Sequence, residues 1–232
     1  MSEGVNNSMK TVLISGADRG VGLALCSCFL EGGWQVFAGQ FMPEWPDLSK
    51  LKSQYPEMLQ IVPLDVSRTE SVCAAVEIVR EFTAYLDLLV NCAGISRGSE
   101  QEVYDVNVTG ALRMTELFLP LMQKGMRRLA YFSSECGAIS VSHRNDGFPY
   151  PTSKTALNML VHRMFRTLRP QGYTFRLYHP GWVRSYMSGK KSNVGNFEPE
   201  EAAAEAYRQF TADRETEDVL VMTDVCGEMW PY

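Results

Sequence analysis

The chain has 232 residues, 45% of them apolar, which is enough for one sizeable hydrophobic core and short for two. We therefore expect residues 1–232 to form a single domain. The 22 Lys and Arg residues and 27 Asp and Glu residues give a formal charge of -5, without a long run of either sign. This pattern excludes the basic stripe that nucleic acid would need as a partner.

The chain begins with a polar stretch, residues 1–10, which lacks the apolar core of a signal peptide. No segment approaches the roughly 20 apolar residues that span a bilayer. We expect a cytoplasmic protein with no membrane partner. The six cysteines are scattered and are expected to be reduced, and the three histidines lack metal-ligand spacing, so no metal site is expected.

Apolar runs and helical periodicities alternate along the whole chain. Continuous apolar runs predict buried strands at 11–15, 35–39, 59–63, 86–91, 129–133, 175–179 and 219–223. Apolar residues spaced three and four apart predict helices at 21–30, 47–53, 69–82, 103–122, 152–168 and 199–210. This alternation predicts an α/β domain with a doubly wound parallel sheet of about seven strands and helices on both faces. Ligands of such sheets bind beyond the carboxyl ends of the strands.

The first predicted strand runs directly into a glycine-rich loop, Ser15-Gly16-Ala17-Asp18-Arg19-Gly20-Val21-Gly22. Glycines at this place allow the backbone to turn tightly and to approach a pyrophosphate at the N-terminus of the next helix. An ordinary strand-to-helix turn is the alternative, but the position in the first βα unit favours dinucleotide binding. The candidate cofactor-binding residues here are Gly16, Asp18, Arg19, Gly20, Val21 and Gly22.

Tyr150 and Lys154 are four residues apart at the start of a long predicted helix, so both side chains lie on the same side of it. A phenol titrates near 10, and a nearby cation must stabilise the phenolate before it exchanges protons near neutral pH. A decrease of about three pKa units corresponds to about 4 kcal/mol, which a Lys ammonium, a positively charged ring of the bound dinucleotide and a helix N-terminus could supply together. A chance pair on a solvated helix face is the alternative.

These motifs together resemble the short-chain dehydrogenase/reductase family, whose TGxxxGxG loop appears here with Ser15 in place of threonine. The resemblance covers nearly the whole chain and implies a Rossmann fold. Further matches follow in the family's order: Asp65-Val66, Asn91-Cys92-Ala93-Gly94, Asn107, Ser134 in a strand-end serine pair, Tyr150 with Lys154, and Pro180-Gly181-Trp182-Val183-Arg184-Ser185.

The resemblance implies four catalytic residues. Tyr150 would exchange the proton and Ser134 would hold the substrate oxygen. Lys154 would acidify Tyr150 and hold the nicotinamide ribose, while Asn107 would support a proton relay. The strand-end serines could otherwise be simple turn formers. Besides the glycine loop, the implied cofactor-binding residues are Asp65, Val66, Asn91, Ala93, Gly94, Tyr150, Lys154, Pro180, Gly181, Val183 and Ser185.

The choice of cofactor depends on charge beside the adenosine ribose. A carboxylate at the end of the second strand would select NAD, but the sequence there is Gly39-Gln40-Phe41-Met42. Arg19 is the family's usual basic residue for NADP, although the second arginine expected near Phe41 is missing. We therefore expect NADP to be preferred, with NAD as the alternative.

The wide spacing between Ser134 and Tyr150 and the PGWVRS motif resemble the branch of C-factor and Sniffer-type carbonyl reductases. This resemblance implies hydride transfer between NADP(H) and a small carbonyl or alcohol substrate, for which His143 is a candidate pocket residue. The alternatives are a non-catalytic NADP-binding regulator on the same fold and a methyltransferase on a similar sheet. Family members commonly form homodimers or homotetramers through the helices predicted at 103–122 and 152–168.

Overall fold

The computed structural model describes residues 9–143, 147–187 and 189–232. Within these residues the strands are β1 (Thr11–Ile14), β2 (Gln35–Gln40), β3 (Leu59–Pro63), β4 (Leu88–Asn91), β5 (Arg128–Phe132), β6 (Thr174–His179), β7 (Met222–Asp224) and β8 (Met229–Trp230). The α-helices are α1 (Gly20–Glu31), α2 (Asp47–Gln54), α3 (Thr69–Phe82), α4 (Glu100–Tyr104), α5 (Gly110–Met122), α6 (Pro149–Leu168) and α7 (Pro199–Thr211).

The described strands form one sheet in the order β3-β2-β1-β4-β5-β6-β7-β8. Strands β1 to β7 are all parallel, and only the pairing of β7 with β8 is antiparallel. The chain winds outward from β1 in one direction and from β4 in the other, so the switch point lies between these two strands. The predicted doubly wound Rossmann fold is confirmed, with one additional antiparallel strand at its edge.

The strands read as continuous apolar runs because both faces of the sheet are covered. In β1, Val12 and Ile14 pack into one hydrophobic cluster and Leu13 packs into the other, and all three are fully buried. The cluster around Val12 contains side chains of α1, α2 and α7, whereas the cluster around Leu13 contains side chains of α3, α5 and α6. Successive strand residues therefore anchor helices on opposite sides of the sheet.

The predicted helix at 103–122 is divided by a π-helical turn, Asp105–Thr109, which separates α4 from α5. Such a turn inserts one residue into the helix and often lies at a functional site. It carries Asn107, which is buried. The strand predicted at 219–223 begins only at Met222, and Val219 is 62% exposed. Among the described residues, no helix is both long and apolar enough to cross a bilayer.

Candidate active site

A cleft of about 620 Å³ lies beyond the carboxyl ends of strands β1 to β6, where a doubly wound sheet binds its ligands. Its lining includes Ser134 and nearly all the candidate cofactor residues: Gly16, Asp18, Arg19, Gly20, Val21, Gly22, Asp65, Val66, Ala93, Gly94, Tyr150, Lys154, Pro180, Gly181, Val183 and Ser185. Two predicted residues do not line this cleft: Asn91 lines a small cavity beside it, and Asn107 is buried behind it.

Two glycines of the loop, Gly16 and Gly22, have no room for a side chain. A Cβ atom on Gly22 would lie 2.1 Å from the carbonyl oxygen of Gly16, and Gly16 itself has φ of +68°. Helix α1 then begins at Gly20 with neither a capping side chain nor an acidic residue in its first turn. The first-turn amides of this helix are therefore left without a capping side chain at the cleft, which fits a bound pyrophosphate.

Asp18 and Arg19 connect the glycine loop to the segment after β2. The Asp18 carboxylate accepts hydrogen bonds from the backbone amides of Phe41 and Met42 at 2.9 to 3.2 Å. The Arg19 guanidinium carbon lies 4.5 Å from the centre of the Trp45 ring, and its Nη1 atom is 2.7 Å from Met42 Sδ. A cation–π contact of this kind orients Arg19 at the end of the cleft where an adenosine ribose would bind.

The Ser15 side chain holds the loop after β4 in place. Its hydroxyl oxygen accepts hydrogen bonds from the amides of Cys92 and Ala93, both at 3.1 Å. Asn91 precedes them, and neither polar atom of its buried side chain has a hydrogen-bond partner among the described residues. The Asp65 carboxylate, two residues after β3, accepts hydrogen bonds from the amide and the hydroxyl of Ser67.

Lys154 is buried beneath the cleft, with 5% of its surface exposed. Its ammonium group donates a hydrogen bond to the carbonyl oxygen of Phe132 at 2.8 Å and lies 5.7 Å from the centre of the Tyr150 ring. Burial lowers the pKa of Lys154 from 10.5 to about 8. Helix α6 begins at Pro149, so Tyr150 lies in its first turn, one turn before Lys154. The phenol therefore has a cation as neighbour.

Asn107 connects the loop after β4 to helix α6. Its Oδ1 atom accepts a hydrogen bond from the Ile95 amide, and its Nδ2 atom donates to the Ile95 carbonyl oxygen and to Ser153 Oγ, at 2.9 to 3.0 Å. A Cβ atom on Gly94 would lie 3.4 Å from Asn107 Oδ1 and 3.7 Å from Lys154 Nζ. The amide and the ammonium group therefore border the same small space, although Asn107 does not reach the cleft.

Ser134 follows β5 and caps a short 3-10 turn, because its Oγ atom accepts a hydrogen bond from the Cys136 amide at 3.2 Å. The same hydroxyl donates to Glu135 Oε2 at 2.9 Å, and this carboxylate oxygen lies 3.3 Å from His179 Nε2. Both Glu135 and His179 line the cleft, and no sequence motif pairs them. The candidate pocket residue His143 is exposed and is not part of the described lining.

Comparison with known proteins assigns this geometry to a family. A family model described as short chain dehydrogenase matches residues 10–194. The chain belongs to the short-chain dehydrogenase family. The short-chain dehydrogenase is similar to C-signal of Myxococcus xanthus, with 35% identity over 123 residues, which are 48% of this chain and 74% of C-signal. Mitochondrial D-beta-hydroxybutyrate dehydrogenase of Mus musculus is 31% identical over 189 residues, 75% of this chain and 54% of that enzyme.

Solved structures share the whole fold of this short-chain dehydrogenase. NADPH-bound carbonyl reductase from chicken fatty liver has a TM-score of 0.86 at 28% identity, covering 97% of this chain and 99% of that one. Carbonyl reductase Sniffer of D. melanogaster has a TM-score of 0.85 at 22% identity, over 97% and 100% of the two chains, which shows a common fold. The predicted family is confirmed, and the short-chain dehydrogenase is an oxidoreductase that acts on carbonyl or alcohol groups.

Proposed function

We propose that this short-chain dehydrogenase reduces an aldehyde or ketone with NADPH, and oxidises the alcohol in the reverse direction, with Tyr150 as general acid and base. The observation that carries the proposal is the buried Lys154 ammonium beside the Tyr150 ring, in a cleft whose other end is the uncapped N-terminus of α1. A phenol beside a cation is suited to exchanging a proton with a substrate oxygen.

Each of the four predicted catalytic residues has a separate task in this mechanism. When bound, the nicotinamide supplies the hydride to the carbonyl carbon or accepts it from the alcohol carbon. Tyr150 gives its proton to the carbonyl oxygen, and the Ser134 hydroxyl holds the same oxygen in place. Lys154 stabilises the phenolate that remains. Asn107 supports the proton relay through Lys154 without touching the substrate, because it borders the space at Gly94 together with Lys154 Nζ but does not line the cleft.

The preference for NADP rests on the charges at the end of β2. Arg19 is stacked on Trp45 there, and the Asp18 carboxylate is occupied by two main-chain amides. This end of the cleft therefore offers a cation for a ribose phosphate. A carbonyl reductase from Pseudomonas aeruginosa, 27% identical with a TM-score of 0.77 over 97% of this chain and all of that one, was solved in complex with NADP. These observations favour NADP over NAD.

The test follows the absorbance of the reduced nicotinamide with NADPH or NADH and a panel of aldehydes and ketones. We expect turnover with NADPH, and we expect Tyr150→Phe to lower kcat by about 10²- to 10⁴-fold while NADPH still binds. Tight NADPH binding by the wild type without turnover of any carbonyl would overturn the proposal and favour a non-catalytic NADP-binding regulator.

We also propose a homodimer or homotetramer built on helices α5 and α6. On these helices, Met114, Leu121 and Met164 belong to the chain's own core, whereas Met159 is 62% exposed. Light scattering should give at least a dimer for the wild type, and Met159→Glu should shift the mass toward the monomer. A wild-type monomer would contradict this arrangement. The cytoplasmic location stays a prediction from the sequence.

A further inference from the structure

The substrate end of the cleft contains a carboxylate and an imidazole that the proposed mechanism does not use. Glu135 directly follows Ser134, and its Oε2 atom accepts the Ser134 hydrogen bond at 2.9 Å. The same oxygen lies 3.3 Å from His179 Nε2. All three residues line the cleft. A carboxylate oxygen is therefore in direct contact with the hydroxyl that is proposed to hold the substrate oxygen.

His179 makes a second packing contact besides the one with Glu135. It ends β6 with 6% of its side chain exposed, and its ring meets the Trp230 ring edge to face at 5.4 Å between centroids. Trp230 Nε1 in turn donates a hydrogen bond to Asp224 Oδ2 at 2.9 Å. The C-terminal strand pair β7–β8 thus supports the imidazole. Glu135 keeps 24% of its side chain exposed, so its carboxylate is oriented and still accessible from the cleft.

The Ser134 hydroxyl has one proton, and Glu135 competes with the substrate for it. The Ser134 oxygen already accepts a hydrogen bond from the Cys136 amide, and the Ser134 hydroxyl donates its proton to Glu135 Oε2. An ionised carboxylate only accepts hydrogen bonds. A substrate that donates a hydrogen bond to Glu135 would engage the carboxylate and release the Ser134 proton for the carbonyl oxygen. A plain ketone has no group that can do this.

We propose that Glu135, positioned by His179, selects carbonyl substrates with a hydrogen-bond donor, a hydroxyl or ammonium group, on the carbon next to the carbonyl. The inference rests on the proposed function. A carbonyl oxygen about 2.8 Å from Ser134 Oγ lies within about 5 Å of Glu135 Oε2, because Oε2 is itself 2.9 Å from Ser134 Oγ. A donor on the adjacent carbon reaches the carboxylate from that position. An anionic group at the same position is repelled by it.

The test measures kcat/KM for four phenyl ketones whose second substituent is methyl, hydroxymethyl, aminomethyl or carboxylate. We expect the hydroxymethyl or the aminomethyl ketone to exceed the methyl ketone by at least about 10-fold, and the carboxylate to be poorest, as a charge-assisted hydrogen bond would produce. The ratio of kcat/KM to that of the methyl ketone is larger for the substituent, hydroxymethyl or aminomethyl, that Glu135 prefers as donor. In Glu135→Leu this ratio should fall below about 3-fold, and in His179→Phe it should be intermediate. Glu116→Gln, which removes a charge at an exposed site on α5, should keep the wild-type ratio.

A binding measurement complements the rates. The protein–NADPH complex cannot oxidise alcohols, so the binding of the alcohol products to it can be measured by calorimetric titration. We expect 1-phenylethane-1,2-diol to bind at least about 10-fold more tightly than 1-phenylethanol, which lacks the second hydroxyl. Glu135→Leu should remove the difference. Turnover without preference for a donor, a preference for the carboxylate ketone, or an unchanged ratio in Glu135→Leu would overturn this inference alone. Absence of turnover for all carbonyls would instead overturn the proposed function.

Discussion

The ammonium group of Lys154 donates a hydrogen bond to the main-chain carbonyl oxygen of Phe132 at 2.8 Å. This contact holds a cation at the carboxyl end of β5, beneath the Tyr150 ring and away from water. Burial lowers the pKa of Lys154 to about 8. The arrangement that serves the phenol therefore reduces the stability of the folded protein.

We predict that the free energy of unfolding rises with pH between about 8 and 10.5 because of Lys154. In this range the folded protein has lost the Lys154 proton, whereas the unfolded chain, with the ordinary pKa of 10.5, still binds it. Below about pH 8 both states bind the proton, and the folded state bears the full cost of about 3 kcal/mol. Lys154→Met should therefore be more stable than the wild type at pH 7, by up to about this amount.

Urea unfolding at several pH values between 7 and 10 measures this difference. The advantage of Lys154→Met should shrink as the pH rises. Lys124→Met, at an exposed position after α5, should follow the wild type throughout. A difference between Lys154→Met and the wild type that stays constant over the whole pH range would contradict the buried cation as its cause.

The sequence predicts the parallel sheet well because its central strands β1, β4 and β5 are buried on both faces and read as apolar runs. Strand β3 and helix α3 were predicted with the bounds that the structure has. Strand β8 has only two residues, Met229 and Trp230, and Met229 is 76% exposed, so it has no apolar run. A side-chain hydrogen bond from Trp230 to Asp224 joins the two strands of this pair, and such a tertiary contact leaves no periodic signal.

The candidate site likewise has features that the sequence reveals and features that depend on tertiary contacts. Glycine spacing and the pair of Tyr150 and Lys154 can be recognised in the sequence because one turn or one helix holds the residues of each motif together. Glu135 and His179 meet only because β5 and β6 are neighbours in the sheet, so no local spacing links them. The π-helical turn that buries Asn107 depends equally on tertiary contacts, since helical periodicity at 103–122 does not mark it.

Arg19 should determine the preference for NADPH over NADH. We predict that Arg19→Gln weakens NADPH binding by about 10- to 100-fold, the loss expected for a hydrogen bond between charged groups, and changes NADH binding by less than about 3-fold. Trp45→Leu removes the ring on which the guanidinium stacks, so it should weaken NADPH binding by about 2- to 10-fold. Dissociation constants for both cofactors, measured by calorimetry, provide the test.

The NADH measurement is the control for this prediction. If Arg19→Gln weakened the binding of NADPH and NADH equally, Arg19 would act on the pyrophosphate that the two cofactors share. The preference for NADPH would then need another source. The Trp45→Leu variant also distinguishes a role for Arg19 at the ribose phosphate from a role at the pyrophosphate. The Trp45 ring orients the Arg19 guanidinium toward the segment after β2, beside Met42.

Gly22 should tolerate no side chain. A Cβ atom there would lie 2.1 Å from the Gly16 carbonyl oxygen and 2.9 Å from its carbon, and these backbone atoms cannot rotate away. We predict that Gly22→Ala displaces the glycine loop, lowers the free energy of unfolding by about 1 to 3 kcal/mol and weakens NADPH binding by more than about 10-fold. Gly33→Ala is the matched control, because Gly33 has φ of +78° but open space around its Cβ position. It should cost about 1 kcal/mol of stability without weakening NADPH binding.

Asn107 and Ser153 allow the last prediction, because they share a hydrogen bond but differ in their other contacts. Asn107→Ala removes one buried and two partly buried hydrogen bonds and leaves the Ile95 amide without its acceptor, so it should lower the free energy of unfolding by about 2 kcal/mol or more. Ser153→Ala keeps both bonds to Ile95 and should cost about 1 kcal/mol.

The kinetics of these two variants distinguish a proton relay from simple support of the helix. Asn107 Oδ1 and Lys154 Nζ border the same small space at Gly94, whereas Ser153 Oγ is bonded to the Tyr150 carbonyl oxygen and to Asn107. We therefore expect Asn107→Ala to lower kcat by about 10- to 100-fold and to change the pH profile of kcat, as loss of a proton-transfer path would. Ser153→Ala should leave the pH profile unchanged and lower kcat by less than about 3-fold. Equal losses of kcat with unchanged pH profiles in both variants would show that Asn107 only holds α6 in place.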